Sequence, residues 1–441
     1  MQPKFFNPLF MFFALARFVE PGYAQSKALI PRSQVVVSNG LDTVSLTIDS
    51  AESRFLKANY LLIAQRYQVE ATKALVLQAR LWPNPNITGS ILIHNTKEGR
   101  NKILDFSTTG EQSYQIGQLI NIAGKQRNQI QVAKLNTLVA EDQFYDLIRT
   151  LKLQLRTDFY TIYYDQQSLG IYDQEIKALT QTINAYQQLV KQGFIAKKEI
   201  LRIQAQLYAL QNELIALKAQ IAQTESDLNI LLAENDHFFM PQVDTSRLEK
   251  LSARSFSIQA LNDTALANRY DLKSAAANLE SSRYGLKLQR SLAVPNPTIG
   301  YSFDRNGSYV YSSRFLSLGI DIPIFNRNQG NIQNARFAIQ NNEAQLSNQQ
   351  KVVLGDVFKA YNAAIENERL AQGFDPSFAG NYTTLVQEVL KNYQIRNIGL
   401  LDFLNYYDSY KQNVLQSNTL RLNRILAYEQ INFAIGKDII K

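Results

Sequence analysis

The spacing of apolar residues divides most of the chain into very long helices and a few short strands. From Lys125 to Lys191 no proline interrupts the helical pattern, and a helix of this length extends about 100 Å. In its last third, apolar residues recur every three or four positions, and after a turn at Gly193 the pattern resumes over residues 203–231. This spacing predicts an antiparallel coiled-coil hairpin with its tip around residues 193–198. A second, weaker helical pair is expected over residues 329–392 and 398–433.

Four shorter segments alternate between apolar and polar or small residues, which is the period of a strand. The first pair follows Pro83 and Pro85, which end a predicted helix capped by Thr47. We expect strands near residues 86–95, 112–122, 298–306 and 312–322, each with two distinct faces. The alternation places Ile91, Ile120, Tyr301 and Leu318 on apolar faces, and Ser90, Asn121, Ser302 and Ser317 on polar ones.

The order helix, strand, strand, long helix, helix occurs twice, with matching residues in the same sequence. Trp82-Pro83-Asn84-Pro85 recurs as Val294-Pro295-Asn296-Pro297, about 210 residues later, which indicates two tandem repeats with loops of different length. The predicted organisation is a signal peptide (1–24), an N-terminal extension (25–46), repeat 1 (47–234), a linker (235–264) and repeat 2 (265–436).

The N-terminus has the features of an export signal. Lys4 precedes an apolar run over residues 5–16, and Gly22-Tyr23-Ala24 has the small-x-small pattern of a cleavage site. The run is too short for a membrane-spanning helix, which needs about 20 apolar residues.

Composition excludes several classes of function. The chain has no cysteine and two histidines, and its net charge of +8 is dispersed. Thiolate metal sites and cysteine nucleophiles are therefore excluded, and no basic cluster suggests nucleic acid. Phosphate-binding loops and His-x-x-x-His pairs are absent, and His94 and His237 lie far apart in the sequence. We expect neither an enzyme nor a resident metal or cofactor.

Four strands are too few to close a membrane barrel, because the smallest single-chain barrels have eight. An open sheet would expose unpaired backbone groups, which lipid does not tolerate. Either the sheet packs in a soluble core or several copies share one barrel. The long helices favour the second option, with eight strands from two copies or twelve from three.

The two-repeat order, the Pro-Asn-Pro motifs and the run Ile322-Pro323-Ile324-Phe325-Asn326-Arg327-Asn328-Gln329-Gly330 resemble TolC-type outer-membrane efflux proteins, especially the heavy-metal (Cus/Czc-type) branch. The resemblance implies a mainly α homotrimer. Its small transmembrane part would be a 12-stranded β-barrel in the bacterial outer membrane, continued into the periplasm by an α-helical barrel with coiled-coil tips. Implied partners are a periplasmic adaptor and an inner-membrane RND-type transporter, and the channel would be a passive conduit for small molecules or metal cations.

The resemblance also implies roles for individual residues. The two hairpin tips would dock the adaptor, although turn chemistry alone also explains them; they comprise Gly193, Phe194, Ile195, Arg396, Asn397 and Ile398. Asp402 and Asn405 would line the periplasmic constriction, where three copies of Asp402 would form a cation-attracting ring. The alternative is an ordinary helix-face aspartate near a helix N-terminus.

Basic and aromatic residues near the strand ends would contact outer-membrane lipid. Headgroup contacts or simple solubilising charges explain the basic ones, and interface positions or packing explain the aromatic ones; the set is Trp82, Lys125, Arg127, Tyr309, Tyr311 and Arg327. A second hypothesis for the whole chain is a soluble periplasmic coiled-coil adaptor, which shares the hairpins and the signal peptide but does not need four two-faced strands.

Overall fold

A computed structural model describes most of the chain outside the N-terminal region. The described residues are 43–95, 100–101, 111–194, 196–235, 237–305, 312–373, 388–389, 391–393, 395 and 397–440. The signal peptide and most of the N-terminal extension lie outside them. None of the described helices is both long enough and apolar enough to cross a membrane.

Repeat 1 begins with a short strand, β1 (Thr43–Thr47), followed by helices α1 (Ile48–Ala58) and α2 (Tyr60–Arg80). Strand β2 (Asn86–Ile91), a two-residue pair β3 (His94–Asn95) and β4 (Arg100–Asn101), and strand β5 (Gln112–Leu119) come next. The repeat is completed by α3 (Lys125–Lys191) and α4 (Lys197–Leu232). The predicted long helix therefore has the bounds that its sequence indicated.

The linker forms β6 (Phe238–Gln242), α5 (Thr245–Glu249) and a 3₁₀ turn (Ala253–Ser255). Repeat 2 then follows the order of repeat 1. It comprises α6 (Ile258–Asn268), α7 (Tyr270–Leu292), β7 (Pro297–Arg305), β8 (Ser312–Ile320), α8 (Gln329–Gly373) and α9 (Leu400–Ile435).

The single helix predicted from Thr47 to Leu81 is wrong, because the chain breaks it at Asn59. Thr47 does cap α1, since its hydroxyl accepts from the backbone N–H of Ser50 at 3.3 Å. Asn59 then adopts extended backbone, caps α2 by accepting from Leu62 N, and donates to Leu231 O at 2.9 Å. Arg269 makes the corresponding break between α6 and α7. A tertiary contact, and not helix propensity, sets the break.

Strands β2, β5, β7 and β8 form one antiparallel sheet in that order, so the two repeats join at the β5–β7 pair. The register aligns Ile87, Ile116, Tyr301 and Leu316 in one row across the sheet. These four side chains are 45–82% exposed. Ile91 and Leu318 lie on the same face, and Ser90, Ser302 and Ser317 lie on the other.

The alternation is not perfect. Phe315 pairs with Ser302 on the polar face, and Arg314 pairs with Phe303 on the apolar face near the hairpin loop. Ile120 and Asn121 lie just beyond the end of β5. The segregation of the two faces was thus predicted correctly over most of the sheet, and both outer strands, β2 and β8, keep one edge without a partner strand among the described residues.

The helices bury three apolar clusters that together hold the two repeats. One surrounds Leu155, Phe159 and Phe239 and includes β1, which pairs in parallel with β6. A second lies between the α3–α4 hairpin and α9, around Leu179, Ile203 and Phe403. The third packs α6 and α7 against α8 and α9. The predicted coiled-coil hairpin therefore packs against a helix of the second repeat.

Candidate functional site

The first hairpin tip ends α3 in a Schellman motif. Phe194 N donates to Leu189 O at 2.9 Å and Gly193 N to Val190 O at 3.0 Å. Gly193 has φ +77°, a left-handed conformation that glycine adopts without strain. The Phe194 side chain is 66% exposed, although a phenyl ring of this size is normally covered. The turn thus presents an apolar ring at the end of the hairpin.

The second tip closes in a similar way. Asn397 N donates to Asn392 O at 2.8 Å, five residues back, as Phe194 does at the first tip. The Asn397 side chain is exposed, whereas Ile398 is half-buried against the apolar cluster of the hairpin. The remaining predicted tip residues, Ile195 and Arg396, lie outside the described residues.

Asp402 and Asn405 lie one turn apart at the start of α9, and both side chains are exposed. Gly399 caps this helix, so the Asp402 carboxylate is in the first turn, where the helix dipole favours a negative charge. Phe403 and Tyr407 occupy the opposite, buried face. The helix is therefore oriented so that its polar face, with Asp402 and Asn405, points away from the protein core.

A stack of aromatic rings anchors this helix, and the sequence patterns did not reveal it. The Tyr393 ring stacks on Phe403 at 4.3 Å between centroids and on Tyr186 of α3 at 5.1 Å. Phe403 also contacts Tyr407 at 5.1 Å. Offset stacks of this kind add about 0.5–1.5 kcal/mol each beyond burial. They fix the base of α9 against the first hairpin.

A buried lysine lies further along the same interface. The ammonium of Lys411 on α9 is 2.9 Å from a Glu213 carboxylate oxygen on α4 and 3.3 Å from Asp408. Burial acts to lower the pKa of Lys411, but its bonds to the two carboxylates outweigh this and raise it. Glu175 of α3 is buried beside them, and burial raises its pKa to about 8. At neutral pH Glu175 is therefore mainly a neutral acid.

At the opposite end of the long helices, Lys125 is not the exposed lipid contact that was predicted. It is only 7% exposed. Its ammonium donates to Val294 O and to Asn296 Oδ1, in the Pro-Asn-Pro segment of repeat 2. The cation offsets its burial with hydrogen bonds and not with lipid headgroups, because the neighbouring repeat covers it. Its role is to join the two repeats.

The other predicted interface residues that the structure describes have exposed side chains. Trp82 is 61% exposed between α2 and β2, and Arg127 and Arg327 are exposed near the starts of α3 and α8. Leu81, which precedes β2, and Ile324 and Phe325, which follow β8, are also exposed. Tyr309 and Tyr311 lie outside the described residues.

Metal ligands do not gather anywhere in the part of the chain that the structure describes. No three His, Cys, Asp or Glu side chains there are placed to hold an ion. His94 pairs with Asn101 through Nδ1 at 2.9 Å, in the small β3–β4 hairpin.

The chain is similar to known outer-membrane efflux channels and resistance proteins in sequence and in fold. The curated cobalt-zinc-cadmium resistance protein CzcC of Cupriavidus metallidurans is 22% identical over 414 residues, which cover 87% of this chain and 93% of CzcC. Among solved structures, CusC superimposes with a TM-score of 0.71 at 16% identity, over 88% of this chain and 92% of that one. The CmeC outer membrane channel of Campylobacter jejuni gives a TM-score of 0.70 at 13% identity, over 88% of this chain and 85% of that one.

The profile of the outer membrane efflux protein family matches residues 52–234 and 261–436, which together are most of the chain. The two matched segments are separated by the linker that carries β6. These matches support an efflux channel and not the soluble periplasmic adaptor considered as the second hypothesis. The chain belongs to the outer membrane efflux protein family.

Proposed function

We propose that three copies of this chain form a continuous export channel across the outer membrane and periplasm. The observation that carries the proposal is the four-stranded sheet, which has an exposed apolar face and, among the described residues, no partner strand at either edge. Unpaired strand edges are not stable in lipid. Joining β8 of each copy to β2 of the next would pair every strand and give twelve, with the apolar face toward lipid.

The helices would continue this barrel through the periplasm. At 1.5 Å per residue, α3 extends about 100 Å from the strand ends to the Gly193 tip. The exposed Phe194 ring and the Asn397 side chain then form the far end of each protomer. We assign these tips to docking of a periplasmic adaptor, which would couple the channel to an inner-membrane transporter of the RND type.

The cargo we propose is a metal cation. CzcC is a cobalt-zinc-cadmium resistance protein, and Asp402 supports the same class here because its carboxylate is exposed on the helix that begins at the second tip. Three symmetry-related carboxylates would attract cations to the channel entrance. Because this chain groups no metal ligands in its described part, ions would pass without tight binding.

Assembly is tested by the mass of the detergent-solubilised protein. We expect a particle of three chains that stays with outer-membrane fractions and conducts ions in planar bilayers. A detergent-corrected mass of one chain, or recovery in the soluble periplasmic fraction, would contradict the proposed channel.

The entrance is tested by Asp402→Asn in reconstituted bilayers. We expect cation-over-anion permeability to fall by about twofold or more, because three charges are lost at one narrow point. Glu199→Gln, in the first turn of α4 at the other tip, is the matched control. Equal effects of the two variants, or no effect of either, would remove Asp402 from the pore.

A further inference from the structure

The junction between the two repeats within one chain is a template for the contact between two copies. Inside the chain, β5 of repeat 1 pairs with β7 of repeat 2, with Gly117 opposite Gly300 and Leu119 opposite Thr298. The second strand of one repeat therefore pairs with the first strand of the next repeat. At the edges of the sheet, β8 is again a second strand and β2 again a first strand.

Below the strands, this closed junction is held by a clasp centred on Asn296. Its side-chain oxygen accepts from Lys125 and, at 3.4 Å, from Ile122 N, and its amide nitrogen donates to Asn121 at 3.0 Å. Lys125 also donates to Val294 O. The start of α3 is thus tied to the Pro-Asn-Pro segment that precedes β7.

Residues corresponding to those of the clasp lie next to the outer strands β8 and β2, the open edges of the sheet. The segment of repeat 2 that corresponds to Ile122-Ala123-Gly124-Lys125 is Ile324-Phe325-Asn326-Arg327. The residues that follow the two segments also match: Ile130-Gln131 with Ile332-Gln333, and Ala133-Lys134 with Ala335-Arg336. By the Pro-Asn-Pro match, Val294 and Asn296 correspond to Trp82 and Asn84. Arg327, Trp82 and Asn84 are all exposed in the single chain.

We propose that Arg327 of one copy binds the Trp82 carbonyl and the Asn84 side-chain oxygen of the next copy, so that the open junction repeats the closed one. This rests on the proposed trimer and specifies its contact. A guanidinium offers five donors in a planar fork, which suits two acceptors on one loop. Among the residues that the structure describes, Arg327 Nε donates to Ile324 O over a long distance of 3.3 Å.

The same correspondence fixes the register between copies. It places Gly319 opposite Thr88 of the next copy and Ser317 opposite Ser90, on the polar face, while Leu316 lies opposite Ile91 on the apolar face. The apolar and polar faces therefore run unbroken across the contact. A shift by one residue would put Ile91 opposite Ser317 and mix the two faces.

The two junctions also differ. Pro323 replaces Asn121, so the second clasp lacks the Asn–Asn bond. Helix α3 begins at Lys125 itself, whereas α8 begins at Gln329, two residues after Arg327. Asn328, and not Arg327, ties this turn to its own chain, because its side-chain nitrogen donates to Gln289 O and to Gln289 Oε1 at 2.8 Å.

Cysteine pairs test the register in a chain that has no cysteine of its own. Ser90→Cys combined with Ser317→Cys should give disulfide-linked dimers and trimers on mild oxidation, because directly opposed residues in antiparallel strands are about 4.5–5.5 Å apart. Ser90→Cys with Ser313→Cys is the matched control, since Ser313 lies on the same face but about 13 Å along the strand. Crosslinking of the control pair, or of neither pair in an intact trimer, would overturn the proposed register.

Arg327→Met tests the clasp. We expect the temperature at which the detergent-solubilised trimer dissociates to fall by about 5 °C or more, with the helical content of the chain unchanged. Asn84→Ala removes one of the two bonds that Arg327 makes, so it should lower the temperature less, and the double variant should be no worse than Arg327→Met alone. Arg127→Met, an exposed arginine with no assigned partner loop, is the control.

Two outcomes separate the clasp from the trimer itself. A trimer in which Arg327→Met behaves like Arg127→Met, or in which the Arg327 and Asn84 effects add, overturns the clasp and leaves the channel proposal intact. If the unsubstituted protein forms no trimer in detergent, the proposed function fails together with the clasp.

Discussion

Two buried lysines connect the repeats, and they are held by opposite kinds of acceptor. Near the sheet, Lys125 of repeat 1 donates to a backbone carbonyl and an amide oxygen of repeat 2, and burial lowers its pKa. In the hairpin region, Lys411 of repeat 2 bonds to the carboxylates of Glu213 and Asp408, and its pKa is raised. The Lys125 contact is a set of hydrogen bonds to neutral acceptors, whereas the Lys411 contact is an ion pair with two carboxylates.

This difference predicts where the molecule responds to its surroundings. Because the acceptors of Lys125 are uncharged, this contact persists at any pH at which Lys125 stays protonated. Added salt weakens such buried hydrogen bonds little. The Lys411 contact lies beside Glu175, so its charge balance changes with pH. We expect the Lys125 contact at the membrane end to be insensitive to pH and salt, and the Lys411 contact at the periplasmic end to change with pH.

The largest effect is expected for Lys125→Met, which keeps the side-chain length but removes the donor. Val294 O and Asn296 Oδ1 each lose a charged donor, and a hydrogen bond to a charged group contributes about 1.5–3 kcal/mol. The loss should appear in the unfolding of the chain itself, measured by circular dichroism against urea, and not only in trimer dissociation. Arg127→Met should stay within about 0.5 kcal/mol of the parent. An unchanged midpoint for Lys125→Met would show that the contact does not stabilise the strand end.

The next effect concerns Glu175 and has a defined pH dependence. Its pKa is about 8 in the folded chain and near the ordinary value of 4.5 when unfolded. Folding therefore takes up a proton between these values, and this contribution to stability is lost as the pH rises from about 5 to about 8.

Glu175→Gln removes that loss. We expect the variant to match the parent at pH 5 and to exceed it at pH 9 by about 2 kcal/mol, since each unit of pKa shift corresponds to about 1.4 kcal/mol and water reaching the charged form reduces the full value. Thermal unfolding at the two pH values measures this. Asp173→Asn, an exposed acid on the same helix, is the control. An equal gain at both pH values would mean that packing and not ionisation is responsible.

The smallest effect compares two glycines in the sheet. A Cβ at Gly300, on the central strand β7, would lie 2.5 Å from Ser317 Oγ of β8 and 3.0 Å from Gln115 Nε2 of β5, whereas at Gly319, on the open edge, it would meet nothing within 4 Å. Gly300→Ala should therefore cost about 1 kcal/mol, at the low end for an overpacked site, and Gly319→Ala close to nothing. Equal stabilities in urea unfolding would indicate that the sheet is packed no more tightly around β7 than at its open edge.

The spacing of apolar residues, together with the prolines and glycines that end helices and strands, predicted most of the architecture. The bounds of α3, the proline-flanked strands and the duplication follow from local patterns, which is why they agree with the structure. The break at Asn59, the burial of Lys125 and the neutral state of Glu175 do not follow from local patterns. The first two depend on partners far away in the chain, Leu231 and Asn296, and the third depends on the burial of Glu175 in the folded chain.

The candidate site divides in the same way. The left-handed turn at Gly193 could be predicted because glycine adopts a positive φ without strain. Asp402 could be placed in the first turn of a helix because it follows the second tip. The aromatic stack through Tyr393 could not, since its members come from segments more than 200 residues apart. Lys125 was misplaced because a basic residue at the start of a helix usually faces solvent.

The parallel pairing of β1 with β6 has a consequence for biogenesis. Thr43–Thr47 finds its partner only in Phe238–Gln242, roughly 200 residues later, and contacts so distant in sequence form slowly. Leu46 and Phe239, both fully buried, complete the first apolar cluster only when this ladder closes. In an exported chain that emerges N-terminus first, repeat 1 would therefore complete its apolar cluster only after the linker that carries β6 has crossed the inner membrane.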